Sequence, residues 1–267
     1  MTRVFILTED PEVRRFFEAA WEFVSRSVSA DVLASLDYAV FTTERECREV
    51  RSLHGRVDEF IAQEVQKLCS ASQWGMYVPR VYGRPPSCIA VKFQHELTNA
   101  DNFLALAHEV GHHVIHALDA HGELVNALRR DLPSVTRIAA MGLPERARAF
   151  MAAAVYVLAS EGAPSYIARN YFARLNVSPE EEFLRALPLH HLASALLLLE
   201  DARKECARAG REDIARHITA LQAALARAKF ESTRRKVHEI AARAFARWPR
   251  EVFEKNRERY ETLFREW

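Results

Sequence analysis

The segment Phe103-Leu104-Ala105-Leu106-Ala107-His108-Glu109-Val110-Gly111-His112-His113-Val114-Ile115-His116-Ala117-Leu118 decides how the rest of this chain is read. Leu104, Ala107, Gly111, Val114 and Leu118 recur three and four residues apart, the spacing that brings side chains onto one face of an α-helix. A buried helix is therefore predicted. Histidines set in such a helix are costly unless each finds a partner, because an imidazole taken out of water loses its hydrogen bonds. Gly111, in the middle of the stretch, lets another backbone come close.

The same segment contains the pattern HExxH, from His108 through Glu109 to His112. Residues four apart on a helix are turned by about 40° and stand one turn above each other, so His108 and His112 can aim at one metal ion. Glu109 lies about 100° round from His108, off the ligand face but within reach of a water on the metal. The spacing thus supplies two ligands and one base. His116 stands one turn beyond His112, where a contact to a ligand or a substrate is open to it, and His113 points away from the ligand face. For both, ordinary hydrogen bonding on the surface or in the core is the simpler reading. A catalytic zinc takes three protein ligands and leaves a fourth position to water, so a third ligand must come from elsewhere. The extension HxxGxxH would place it at position 118, but Ile115 and Leu118 occupy the glycine and histidine positions, which excludes the metzincin pattern.

Outward from this helix, the chain has 267 residues, 49% hydrophobic and 27% charged, with a formal net charge of +1. That is a globular composition, large enough to bury a core without disulfides or metals. The near-neutral balance offers no electrostatic footprint for nucleic acid; the Arg-rich stretch at Arg234-Arg235-Lys236, with Arg243, Arg247 and Arg250, reads as a solvated helix face. The opening MTRVFILTEDPEVRR meets Glu9 and Asp10 after a short apolar run and so lacks the core of a signal peptide. The most apolar stretch, Ala186 to Leu199, is interrupted by Pro188, His190 and His191 and falls short of the about 18 residues a membrane span needs. Cys47, Cys69, Cys88 and Cys206 show no CxxC pair. Four free thiols and a cytoplasmic location are expected.

Up to about residue 100 the pattern is α+β. Strands are predicted at Val4 to Leu7, Tyr38 to Thr42, Trp74 to Tyr82 and Cys88 to Phe93, with the breaker Gly83-Arg84-Pro85-Pro86 between the last two. Helices are predicted from Asp10 to Val28, with Pro11 in the first turn, around Glu44 to Ser52, and from Val57 to Ser70. Beyond Asn99 everything reads as helix, broken near His121-Gly122, Pro133, Gly142 to Pro144, Gly162 to Pro164, Pro179, Pro188, Gly210 and Pro249. Ile214, Ile218, Leu221 and Leu225 form one apolar stripe, and Phe253, Tyr260, Phe264 and Trp267 another; both read as core packing between helices. The expected division is residues 1–120, an α+β part with the site helix, and residues 121–267, a helical part. The expected fold class is α+β, mainly α-helical, with a small mixed sheet.

For the third ligand, His121 and acidic residues on later helices are the candidates. Glu145 opens the helix Pro144 to Ser160, and Glu180, Glu181 and Glu182 follow Ser178-Pro179; all four suit the first turn of a helix, where an acid complements the dipole. Glu161 ends the apolar run Phe150 to Ala159, at the end of a helix that disfavours a negative charge. An acid in an unfavourable place is a functional candidate.

The stretch Leu158-Ala159-Ser160-Glu161-Gly162-Ala163-Pro164-Ser165-Tyr166 resembles the EGxAxY element that follows HExxH in gluzincin-type, peptidase MA-like families. Glu161, Gly162 and Tyr166 match, and Pro164 stands where Ala is usual. The approach from Cys88 to Phe93 and then through Phe103 into His108 resembles the edge strand and active-site helix of that clan, an opening shared with ImmA/IrrE-type peptidases, in which Glu145 would be the corresponding acid. The resemblance covers about residues 74–170. It implies a zincin-like fold, Glu161 as third zinc ligand, Tyr166 as donor to the oxyanion (with Tyr156, His190 and His191 as other candidates), and an extended peptide pairing with Cys88 to Phe93. Two imidazoles and a carboxylate suit Zn²⁺, with Mn²⁺, Fe²⁺, Co²⁺ or Ni²⁺ as other occupants. Glu109 is then expected to take a proton from water and pass it to the leaving amine, the chemistry of a zinc metallopeptidase acting on a peptide or protein. The contrasting expectation is a non-catalytic binding or regulatory module, recognisable by a fourth protein ligand such as His116 or His121.

Overall fold

The computed structural model describes residues 2–47, 57–70, 73–80, 86–173 and 182–264. Its elements are β1 (Arg3–Leu7), α1 (Pro11–Ser27), α2 (Ala30–Ala34), β2 (Tyr38–Thr43), α3 (Glu59–Ser70), β3 (Gly75–Val78), β4 (Cys88–Phe93), α4 (Asn99–Ala117), α5 (His121–Asp131), α6 (Pro133–Ala140), α7 (Glu145–Ile167), a π-helical turn (Ala168–Ala173), α8 (Phe183–Ala186), α9 (Leu189–Arg208), α10 (Glu212–Leu225), α11 (Glu231–Ala244), α12 (Pro249–Lys255) and α13 (Arg257–Phe264). The protein is mostly helical with one small mixed sheet, an α+β chain. Two compact units divide it: Met1–Leu118 with Ile167–Pro179 and Ala241–Trp267, and Asp119–Tyr166 with Glu180–Ile240. The first boundary falls two residues before the expected 120, and the C-terminal helices belong to the unit that holds the sheet.

In the first unit the strand order is β1-β2-β4-β3, parallel except for the antiparallel pair β3 and β4. Residues alternate between the two faces of a strand. Tyr38, Val40, Val78, Cys88 and Ala90 therefore pack on Ile61, Ala62, Val65 and Leu68 of α3, while Phe41 stacks on Phe17 of α1 and Phe93 meets Phe16 and Phe17 edge-on across the other face. The order corrects one expectation. Cys88–Phe93 is an inner strand, buried at all six positions, and the edge next to it is β3. The reason lies in its composition: apolar residues on both faces suit a strand covered on both sides, which an edge seldom is.

Local signals set the frame. Asp10 caps α1 by accepting from the backbone N–H of Glu12 and Val13, with Pro11 at the first position, as expected. Thr98 caps α4 through the N–H of Asp101, an arrangement worth about 1 kcal/mol. Buried Asn102 accepts from the Gln94 N–H and donates to the Gln94 carbonyl, fixing how β4 hands over to α4. Asp37 ties β2 to the start of β4: its carboxylate accepts from the Ser87 N–H at 2.8 Å and from Arg80. Burial works against its charge, but the bonds from Arg80 and Ser87 hold its carboxyl below the usual range.

The second unit is helical throughout its described residues. Ile214, Ile218, Leu221 and Leu225 are all buried, as a core stripe requires. The carboxylate of Asp131 caps α11, accepting from the N–H of Ser232 and Thr233 and from the Thr233 hydroxyl. Gly142 and Gly210 turn the chain with φ of +74° and +69°, a region open to glycine. The predicted break at Gly162 to Pro164 is absent: α7 runs through both residues, so Glu161 lies inside a helix and not at its end. Phe253 lies on α12 and Tyr260 and Phe264 on α13, so that stripe is shared by two helices. The predicted helix beyond Cys47, the Gly83 to Pro85 breaker, Glu180, Glu181 and Trp267 lie outside the described residues. No helix among the described residues is long and apolar enough to cross a membrane.

A second correction concerns the thiols. Cys47 and Cys69 form a disulfide across 22 residues, with a Cα–Cα distance of 5.2 Å, and Cys88 and Cys206 are free and buried. So long a separation carries no short-range signal; the fold brings the turn after β2 to the last turn of α3. Because disulfides persist in oxidising surroundings, the inference from four free thiols to the cytoplasm loses its premise. Titrating thiols in denaturant without reductant is expected to give two per chain, rising to four after reduction; four from the start would contradict the pairing.

Candidate metal centre

Helix α4 carries the HExxH residues on its middle turns, with Phe103, Leu106, Ala107, Val110, Val114 and Ile115 buried. It packs against β3 and β4 of its own unit. His108 and His112 are half-buried, their rings nearly perpendicular and their Nε2 atoms 3.0 Å apart. Two imidazole nitrogens at that separation need either a hydrogen on one, donated to the lone pair of the other, or a cation held by both. In a tetrahedral zinc site with Zn–N bonds of about 2.0–2.1 Å the nitrogens stand about 3.3 Å apart. The pair fits that edge. Glu161 belongs to the other compact unit, and its carboxylate is the third donor that the sequence offers. Nitrogen, nitrogen and carboxylate oxygen are the donors that zinc prefers in an open site.

Glu109 is 7% exposed, and the reason is β3. A Cβ on Gly75 would stand 2.6 Å from Glu109 Oε1 and 2.8 Å from its Cγ, so the carboxylate lies against bare backbone. Two residues along, on the same face of the strand, Tyr77 lies parallel to His112 with centroids 6.2 Å apart and tilts over His116 at 5.3 Å. Its hydroxyl contacts His113 Nδ1 at 3.3 Å, and His113 Nε2 meets the Val32 carbonyl at 2.9 Å. A carbonyl only accepts, so Nε2 carries the proton and Nδ1 accepts from Tyr77. Burial lowers the His113 pKa, against the Val32 bond that raises it, and burial pushes the Tyr77 hydroxyl up; both groups stay neutral in these roles. His113 therefore keys α4 to β3 and α2, the structural part expected of it. Gly75 and Tyr77 were not singled out in the sequence. An isolated glycine in a strand was the available signal for the first, since it marks close approach of another group.

Glu161 projects from α7, and His191 Nε2 lies 3.3 Å from its Oε2. Gly162 and Tyr166, four residues apart on α7, clasp one aromatic ring: a Cβ on Gly162 would stand 2.5 Å from Phe183 Cζ, and the Tyr166 and Phe183 rings are 6.0 Å apart. Tyr166 is fully buried and its hydroxyl accepts from Arg234 Nε at 3.3 Å. Gly162 and Tyr166 thus serve the packing around Phe183, and the reading of Tyr166 as an oxyanion donor remains a proposal. Tyr156 is half exposed and stacks on His121. Glu145 is exposed in the first turn of α7, and Glu182 pairs with Arg185 at the start of α8.

Compared with protein-family models, curated proteins and solved structures, the chain finds no match. The site therefore rests on its own geometry.

That geometry makes Gly75→Ala a specific test. The substitution is expected to destabilise the protein by about 1–3 kcal/mol, as overpacking does, and Glu109→Ala in the same chain is expected to remove most of that penalty. Denaturant unfolding of the four proteins of the cycle checks it; an equal cost with and without the Glu109 side chain would contradict the contact.

Proposed function

We propose that this protein is a zinc-dependent metallopeptidase in which His108, His112 and Glu161 hold the metal and Glu109 is the general base. The observation that carries the reading is the pair of imidazole nitrogens 3.0 Å apart on α4, with a sheltered carboxylate one residue from the first of them. Zinc bound there would acidify a water and polarise a carbonyl, the two services hydrolysis of a peptide needs. The zincin-like assignment of the fold belongs to the same proposal.

The chain's own residues supply the rest. Glu109 takes a proton from water and returns it to the leaving amine, a transfer that contributes about 10²–10⁴-fold to rate when the carboxylate is well placed. Gly75 keeps that carboxylate low against the strand, and Tyr77 flanks His112. The outer side of β3 pairs with no strand among the described residues. Backbone N–H and C=O groups along it can hold an extended peptide by strand addition, the role first expected of the Cys88–Phe93 strand.

Glu109→Gln separates the two readings. The variant is expected to retain one zinc per chain while cleavage of an unstructured peptide falls by about 10²-fold or more. Equal cleavage by parent and variant would remove Glu109 from the mechanism, and a zinc-loaded parent that leaves such peptides intact would favour the module.

A further inference from the structure

Oε2 of the Glu161 carboxylate lies 3.3 Å from Nε2 of the His191 imidazole, in the first turn of α9. The contact is internal to one compact unit. Both side chains are about a quarter exposed, His191 at 26% and Glu161 at 23%, so the pair is partly withdrawn from water. His191 is itself held: its ring lies 4.0 Å from that of His190, at an angle of 44°.

We infer that His191 is a positioning residue for the metal, acting through Glu161. This rests on the assignment of Glu161 as a ligand. A glutamate has three side-chain torsions, and its freedom on a helix surface is lost when a metal binds. A hydrogen bond from Nε2–H of His191 to Oε2 selects the rotamer in advance. Carboxylate ligands are commonly oriented by such bonds, and removing the partner costs about 10–100-fold in metal affinity. His190, on the adjacent position of the helix, turns about 100° away and does not share the contact.

The test is zinc affinity, measured by competition with a chromophoric chelator, in the full chain. His191→Gln places an amide donor where Nε2 was; His191→Met fills similar volume and donates nothing. His190→Ala serves as the control, and a cooperative thermal melt confirms folding of each. The expected result is one zinc per chain in the parent, a loss of about 10–100-fold in H191M, and affinities within a few fold of the parent in H191Q and H190A. Parent-like affinity in H191M would overturn the role of His191 and leave Glu161 as ligand untouched. Equal losses in H191M and H191Q would overturn it as well, since the donor would then not be what matters. A folded parent that binds no zinc would overturn the ligand set itself, and the inference with it.

Discussion

Two imidazoles projecting from one buried helix, with their Nε2 atoms 3.0 Å apart, set the constraint to which the rest of this protein answers. Like-ended nitrogens repel unless a proton or a cation lies between them, and an apolar helix offers little water to help. The helix must therefore be gripped firmly enough to keep the two rings converging. That grip is visible residue by residue. Asn102 locks the start of α4 to the end of β4, and His113 spends both ring nitrogens on the Val32 carbonyl and the Tyr77 hydroxyl. Ala107, Val110 and Val114 fill the buried face between these points.

The short edge strand β3 shows how the same constraint shapes chemistry. Its alternate residues face different tasks, Met76 and Val78 towards the α3 core and Gly75 and Tyr77 towards α4. The absence of one methyl group at position 75 creates the space in which a carboxylate can be kept close to the strand. An aromatic ring two residues later stands alongside a candidate ligand. A four-residue strand thus joins the packing of the sheet to the placement of a base.

Much of this was legible in the sequence, and the pattern of what was not has physical causes. Helix α4 and its inward face could be read because helical periodicity is a local property, and Asp10, Pro11, Thr98 and Gly210 mark ends by chemistry confined to a few residues. The position of β4 inside the sheet depends on pairing partners 50 residues away, Tyr38 with Cys88 among them. Its apolar residues on both faces, Cys88 to Val91 and Phe93, were the sign of an inner strand all the same. Gly162 and Pro164 read as a helix end because each weakens a helix locally. Here Gly162 instead makes room for Phe183, so tertiary packing repays what local propensity loses, and Pro164 costs a hydrogen bond near the passage into a π-helical turn. The argument that Glu161 sat at an unfavourable helix end fails with that break. What supports the residue now is its match to the EGxAxY element. The Cys47–Cys69 pair, 22 residues apart, left no trace that spacing rules could find.

The most direct measurement of the central claim is X-ray absorption at the zinc edge of the loaded, full-length protein. The account predicts a low-coordinate shell of nitrogen and oxygen at about 2.0–2.1 Å, with the outer-shell scattering of two imidazoles. A sulfur shell at about 2.3 Å, pointing to Cys88 or Cys206, or a zinc without imidazole scattering, would contradict it.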